Sequence, residues 1–284
     1  AALIVLALAW VYMRFGHLPF VAGAMQGVKP VVIAIVTQAI WKLAPTAIKS
    51  RELALLAVIA LAACVLGLGP VTVYALCGAI AAVGHQAKSI RFSFLPSAMI
   101  LLPTSTPSEQ IVSNGSLFLA FLKIGSTLFG SGYVLLAMLR SDLVLHRHWL
   151  TDAQVLDAIA IGQVTPGPVF TTATFIGYVL GGTAGAIAAT LGIFAPAFVL
   201  IWIVAPVAMR LRKSPLAAAV LDGLNVAAIA LMAYAAYVFA VDAMRAPLPI
   251  AIAIFSAIVL IRFRINPTWL LGAAALIGIA TALR

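Results

Sequence analysis

Acidic side chains are nearly missing from this sequence: 7 Asp and Glu stand in 284 residues, against 17 Lys and Arg. Charged residues of both signs reach only 8%, whereas a soluble globular domain carries roughly a quarter. That scarcity excludes a chain with a fully solvated surface. Cysteine is limited to Cys64 and Cys77; both sit in apolar runs without metal-ligand spacing, which excludes a disulfide framework or a thiolate metal centre. Histidine is also sparse. His146 and His148 flank Arg147 beside Trp149, too few ligands for a metal and better suited to an interfacial anchor. No Ser-His-Asp grouping, carboxylate cleft or phosphate loop occurs, so the chain does not read as an enzyme, and neither cofactor nor metal is expected. The positive charges are scattered over short loops rather than gathered on one face, so nucleic acid is not implied as a partner.

What the sequence has in excess is apolar surface. Hydrophobic residues make up 64% and the mean hydropathy is +1.18, which points to an all-α polytopic membrane protein with lipid as its main surroundings. Spans of about 20 residues leave room for roughly eight or nine crossings. Apolar runs fall at 1–13, 24–46, 53–68, 70–84, 116–139, 152–181, 184–209, 217–241, 247–263 and 267–283, with an amphipathic connector at 140–151. Ala1–Met13 is hydrophobic with no basic stretch ahead of it. The sequence therefore reads as starting inside a span, with the earlier part of its first half absent.

Residues 85–115 form the one long polar stretch and suit a linker between halves. A shift of 196 residues lays Arg14 on Arg210, Gly27 on Gly223 and Ile33 on Ile229, along with four alanines. The expected organisation is then residues 1–84 as the C-terminal part of a first repeat, 85–115 as a linker and 116–284 as a complete second repeat. Lys and Arg occur in loops of both parities, as inverted halves would place them, so orientation stays open.

Two interruptions carry the functional reading. Gly162–Pro168 reads Gly-Gln-Val-Thr-Pro-Gly-Pro, and Gly125–Gly132 reads Gly-Ser-Thr-Leu-Phe-Gly-Ser-Gly. Proline removes a backbone donor and blocks helix continuation. Inside a bilayer such breaks persist only where the freed groups are buried in protein or line a wet cavity. Paired half-helices whose N-termini present unpaired N–H groups make a site for a small oxyanion. The candidate site residues are Lys123, Ser126, Thr127, Phe129, Gly130, Ser131 and Gly132 around the first break. Around the second they are Gln163, Thr165, Pro166, Gly167, Pro168, Thr171 and Thr172. Lys123 either serves the anion or snorkels to the interface. Asp157 and Asp222 are the candidate carboxylates for proton coupling, against a plain anchoring role. Secondary active transport and a passive anion channel both remain open, because a channel would use the same helix ends without a coupling residue.

The stretches Phe121–Leu136 and Trp149–Pro168, followed by Phe175–Tyr178 and Gly185, resemble the chromate ion transporter family. The resemblance covers 117–284 as one family domain and 1–84 as the tail of a preceding copy, with signature positions at Lys123, Phe129, Gly130, Gly132, Gln163, Pro166, Gly167 and Pro168. It implies a multi-pass carrier of the bacterial inner membrane that exports chromate, is driven by the proton motive force and confers chromate resistance. It also implies two antiparallel domains, with the partner half supplied by absent residues or by a second copy of the chain as a homodimer. Sulfate, a tetrahedral dianion of similar size, is the alternative cargo.

Overall fold

A computed structural model describes residues 1–16, 18–88, 112–165, 167–211, 214–263 and 265–283. Eleven α-helices account for most of them: α1 (Ala2–Phe15), α2 (Pro19–Ala47), α3 (Arg51–Val65), α4 (Pro70–Lys88), α5 (Asn114–Thr127), α6 (Leu135–Leu139), α7 (Asp152–Val164), α8 (Thr172–Leu211), α9 (Pro215–Ala243), α10 (Pro247–Phe263) and α11 (Pro267–Ala282). No strand occurs among the described residues. Most of the expected linker, from 89 to 111, lies outside them.

Local chemistry sets many of the helix starts. Pro19, Pro215 and Pro267 occupy first-turn positions, where a missing N–H costs nothing and the fixed φ is already helical. Hence α2 and α9 begin earlier than the apolar runs at 24 and 217 predict. Ser50, Ser113, Ser214 and Asn266 accept a first-turn N–H, and Thr151 with Gln154 forms a reciprocal capping box on α7. The break predicted between 181 and 184 is present: Gly181 and Gly182 leave helical geometry, and the two arms of α8 fold back on each other, with Gly177 against Gly185 and Thr174 Oγ1 2.8 Å from Thr190 Oγ1. The predicted connector at 140–151 is in large part a π-helix, Arg140–His146.

By length and composition three described stretches could cross a membrane: the continuous helices Pro19–Ala47 and Pro215–Ala243, and Val169–Trp202, which folds back on itself at Gly181–Gly182. Shorter apolar helices, including α1, α10 and α11, surround them. Large apolar side chains such as Leu66, Trp202, Trp269 and Leu276 stand exposed on the outside, as a lipid-facing surface requires.

The long helices α2 and α9 each contain 29 residues, and their starting prolines are 196 residues apart. They pack on each other, and each takes its main partners from the far end of the chain: α2 lies against α11 and α10, and α9 against α4 and α3. The α2–α11 seam is made of small residues. A Cβ on Gly27 would collide with the Ala274 carbonyl, and one on Gly23 would stand 2.6 Å from the carbonyl oxygen of Gly278. Close backbone approach of this kind is how helices gain packing energy where lipid supplies no hydrophobic drive.

Helix α7 sits inside this frame and is buried from Val155 through Gly162 on every side. That explains why its sequence shows no polar face, apart from Asp157.

Candidate functional site

Both interruptions are real breaks, and they meet. Helix α5 stops at Thr127, and the chain passes through Gly130 at φ +87° before a 3-10 turn at Gly132–Val134. A side chain at residue 130 would be strained in that left-handed conformation. Helix α7 stops at Val164, and a second 3-10 turn, Val169–Thr171, leads into α8. The two turns pack together, with Gly132 facing the Phe170 ring. Pro166 lies outside the described residues; Gly167 and Pro168 are exposed on the approach to the turn.

Most of the hydroxyls expected to serve a ligand are committed to their own helices. Ser126 Oγ donates to the Leu122 carbonyl at 2.7 Å, and Thr127 Oγ1 to the Lys123 carbonyl at 3.0 Å. Thr165 Oγ1 donates to Gly162 at 3.0 Å and Thr171 Oγ1 to Pro168 at 3.0 Å. Ser131 Oγ accepts from Tyr133 N–H at 3.3 Å. In a bilayer this back-bonding keeps a helix end satisfied and leaves the protons of Ser126, Thr127, Thr165 and Thr171 unavailable to an anion, whereas Ser131, as an acceptor, keeps its own. Phe129 contributes through its carbonyl, which accepts from Tyr74 Oη at 3.0 Å, while the two rings meet edge to face at 5.9 Å.

Among the described residues three buried side-chain atoms form no hydrogen bond of ordinary length: the Gln163 amide nitrogen, the Thr172 hydroxyl and Asp157 Oδ1, which faces Lys29 as an ion pair. Gln163 lies beside the Tyr133 side chain, and fully buried Thr172 lies against Gly162. An unpartnered buried donor costs about 1–3 kcal/mol, which a well-packed interior rarely tolerates without a use for it. On the other side of the first break, a cavity of about 310 Å³ opens between α2 and α9, lined by Thr46, Gly130, Ser131, Asn225 and Met232. Its size is at the lower end of small-ligand sites.

The ionic groups fall into pairs. Lys123 Nζ sits 2.6 Å from Asp142 Oδ1, and Arg147 Nε sits 2.8 Å from Asp142 Oδ2. The carboxylate is buried at 7% exposure, while Lys123 reaches outward at 55%. Arg147 also stacks 4.7 Å from the Trp149 ring centre. Asp222, a coupling candidate, binds Lys49 at 2.9 Å. It lines a second cavity of about 550 Å³ with Ser50, Glu52 and His85. Asp157, the other candidate, is held by Lys29 at 2.9 Å and accepts from Tyr12 Oη at 3.0 Å.

Lys29, Tyr12 and Asp142 were not singled out from the sequence. Lys29 carried a usable signal, an isolated lysine inside a long apolar run, by the reasoning that singled out Lys123. Asp142 carried none, because its connector looked like ordinary surface chain.

Because Arg147 stays on Asp142, Lys123→Ala is expected to cost about 1 kcal/mol of stability or less. Asp142→Ala strands two cations and is expected to cost about 3 kcal/mol. Thermal unfolding of the detergent-solubilised variants checks both. Equal losses would mean that Arg147 does not share the load.

Apolar helices whose two interrupted segments meet around uncommitted polar groups define a polytopic membrane transporter. The chain belongs to the chromate transporter family, whose sequence pattern it matches over residues 1–83 and 115–279. It is 30% identical to a chromate transport protein of Cupriavidus metallidurans over 98% of its own length and 71% of that protein's. A probable chromate transport protein of Synechococcus elongatus is 31% identical over 83% of this chain and 62% of its own. A chromate transport protein of Pseudomonas aeruginosa is 33% identical over 69% of this chain and 50% of its own. The chain thus spans between half and about seven-tenths of these relatives. No solved structure matches it.

Proposed function

We propose that this chain carries chromate outward across the bacterial inner membrane and so confers chromate resistance. The observation that carries the reading is the meeting of the two 3-10 turns beside the buried, uncommitted amide of Gln163. An oxyanion oxygen placed there would supply the acceptor that the amide lacks, and the unpaired N–H groups at the start of the helices would face the same ion. The names of the relatives supply the cargo.

The proton motive force can drive this export through its electrical part. Moving a dianion out of a cell that is negative inside gains about 4.6 kcal/mol for each 100 mV, at about 2.3 kcal/mol per charge. For Asp157 or Asp222 to relay a proton, Lys29 or Lys49 must first release it.

Neutral donors distinguish one tetrahedral dianion from another poorly, so sulfate is the competitor to test. Radiolabelled chromate uptake into inside-out vesicles is expected to collapse with an uncoupler and to survive excess sulfate. Uptake erased by sulfate would make chromate a secondary cargo. Uptake unaffected by the uncoupler would mean that the membrane potential does not drive it, and the energised-export reading would fall.

A further inference from the structure

Lys29 is placed where a lysine has little reason to be. Ten residues of α2 separate it from Pro19, about 15 Å of helix and so about half the hydrocarbon thickness. Its neighbours Gly27, Val28, Pro30 and Val31 are all buried. A cation at that depth needs a counter-charge, and it has one in Asp157 of α7, 2.9 Å away, with side-chain exposures of 19% and 10%. Tyr12 of α1 donates to the other carboxylate oxygen at 3.0 Å. The pair Lys49–Asp222 has the same chemistry but stands open at 58% and 31%.

Helix register ties Lys29 to the break region. Asn225 occupies the same place in α9 that Lys29 occupies in α2, because the two helices share a length and start 196 residues apart. Asn225 lines the cavity at Gly130–Ser131, beside the first break. Lys29 reaches α7, the half-helix that runs into the second. Corresponding positions of the two long helices thus each address one interrupted segment.

We propose that Lys29 is the cation of the transport site and that Asp157 is its resident counter-anion, displaced by a tetrahedral dianion in each transport cycle. This rests on the oxyanion-transport reading above. An empty carrier cannot leave Lys29 unpaired in a low dielectric, so the carboxylate holds it between turnovers. The arriving dianion brings two charges against the carboxylate's one and wins the lysine. Tyr12 keeps its hydrogen bond to Asp157 when the lysine leaves. The returning carboxylate then competes the ion off again, which keeps binding weak enough for release. No proton moves in this exchange.

The test is equilibrium binding of chromate, and of sulfate in parallel, to the purified full chain and its variants. Asp157→Asn removes the competitor and is expected to tighten chromate binding about tenfold. Lys29→Gln is expected to weaken it at least tenfold. The double variant Lys29→Gln/Asp157→Asn leaves no charge stranded, and it decides the matter even if Asp157→Asn alone fails to fold. It is expected to bind as weakly as Lys29→Gln. Wild-type affinity in the double variant would make the pair a packing feature and overturn the proposal. So would an Asp157→Asn protein that folds and binds no tighter than wild type. If the wild-type chain binds sulfate but not chromate, the chromate reading falls and the same variants decide the displacement with sulfate. If it binds neither, the transport reading falls and takes this proposal with it.

Discussion

Gly27→Val is expected to leave almost no folded protein in the membrane. The Cβ alone would enter the Ala274 carbonyl and press on the Gly278 backbone, 3.2 Å from its Cα. The obstacle on both counts is main chain of another helix, so no rotamer change relieves it. Overpacking of ordinary cores costs about 1–3 kcal/mol, and a clash against backbone belongs at or above the top of that range. Along the same seam Gly23 meets Ala282 and Gly278, so forcing α2 and α11 apart at residue 27 loosens the whole contact. Gly272→Val is the matched control, since a Cβ there meets nothing within 4 Å. Yield and melting temperature after detergent extraction separate the two. Equal behaviour would mean that α2 and α11 do not pack as described.

Gln163→Leu is expected to cut chromate transport at least tenfold while leaving the melting temperature equal or higher. The opposite directions follow from one fact: the buried amide nitrogen makes no hydrogen bond of ordinary length in the resting protein, with only a longer contact to the Tyr133 side chain. An unmet donor is a standing cost of about 1–3 kcal/mol, and leucine removes it at similar volume. If the amide serves the transported ion, transport loses the donor it uses, and a loss of 1.4 kcal/mol in that contact is already tenfold. A variant that melts earlier yet transports normally would make Gln163 a structural residue. Vesicle uptake and thermal unfolding on the same preparation measure both.

Much of the architecture was legible in the sequence because its causes are local. Thr-Pro-Gly-Pro cannot continue a helix, so a break near 165–168 was foreseeable without knowing what surrounds it. The 196-residue shift anticipated that α2 and α9 would match, and their bounds coincide in both length and starting proline. Elsewhere a local rule had two outcomes. Gly181–Gly182 could end a helix or only bend it, and here it ends one, because Gly177 and Gly185 let the two arms of α8 pack back to back. Pro19 could lie in a loop or open a helix, and it opens one.

The candidate site divides along the same line. By itself the sequence determined that this chain is a helical membrane protein with two interruptions rich in small and hydroxyl residues, since composition and backbone chemistry act within a few residues. It also supplied the pattern by which family membership was first read. Only the tertiary structure decided which of those residues are uncommitted and which charges are paired. Ser126, Thr127, Thr165 and Thr171 turn back on their own helices, while the Gln163 amide nitrogen and the Thr172 hydroxyl make no hydrogen bond of ordinary length. Tyr12 reaches Asp157 across 145 residues and Lys49 reaches Asp222 across 173. Nothing in the spacing of the chain encodes such a partner, because in a low-dielectric interior a charge takes the nearest opposite charge that helix packing brings within reach.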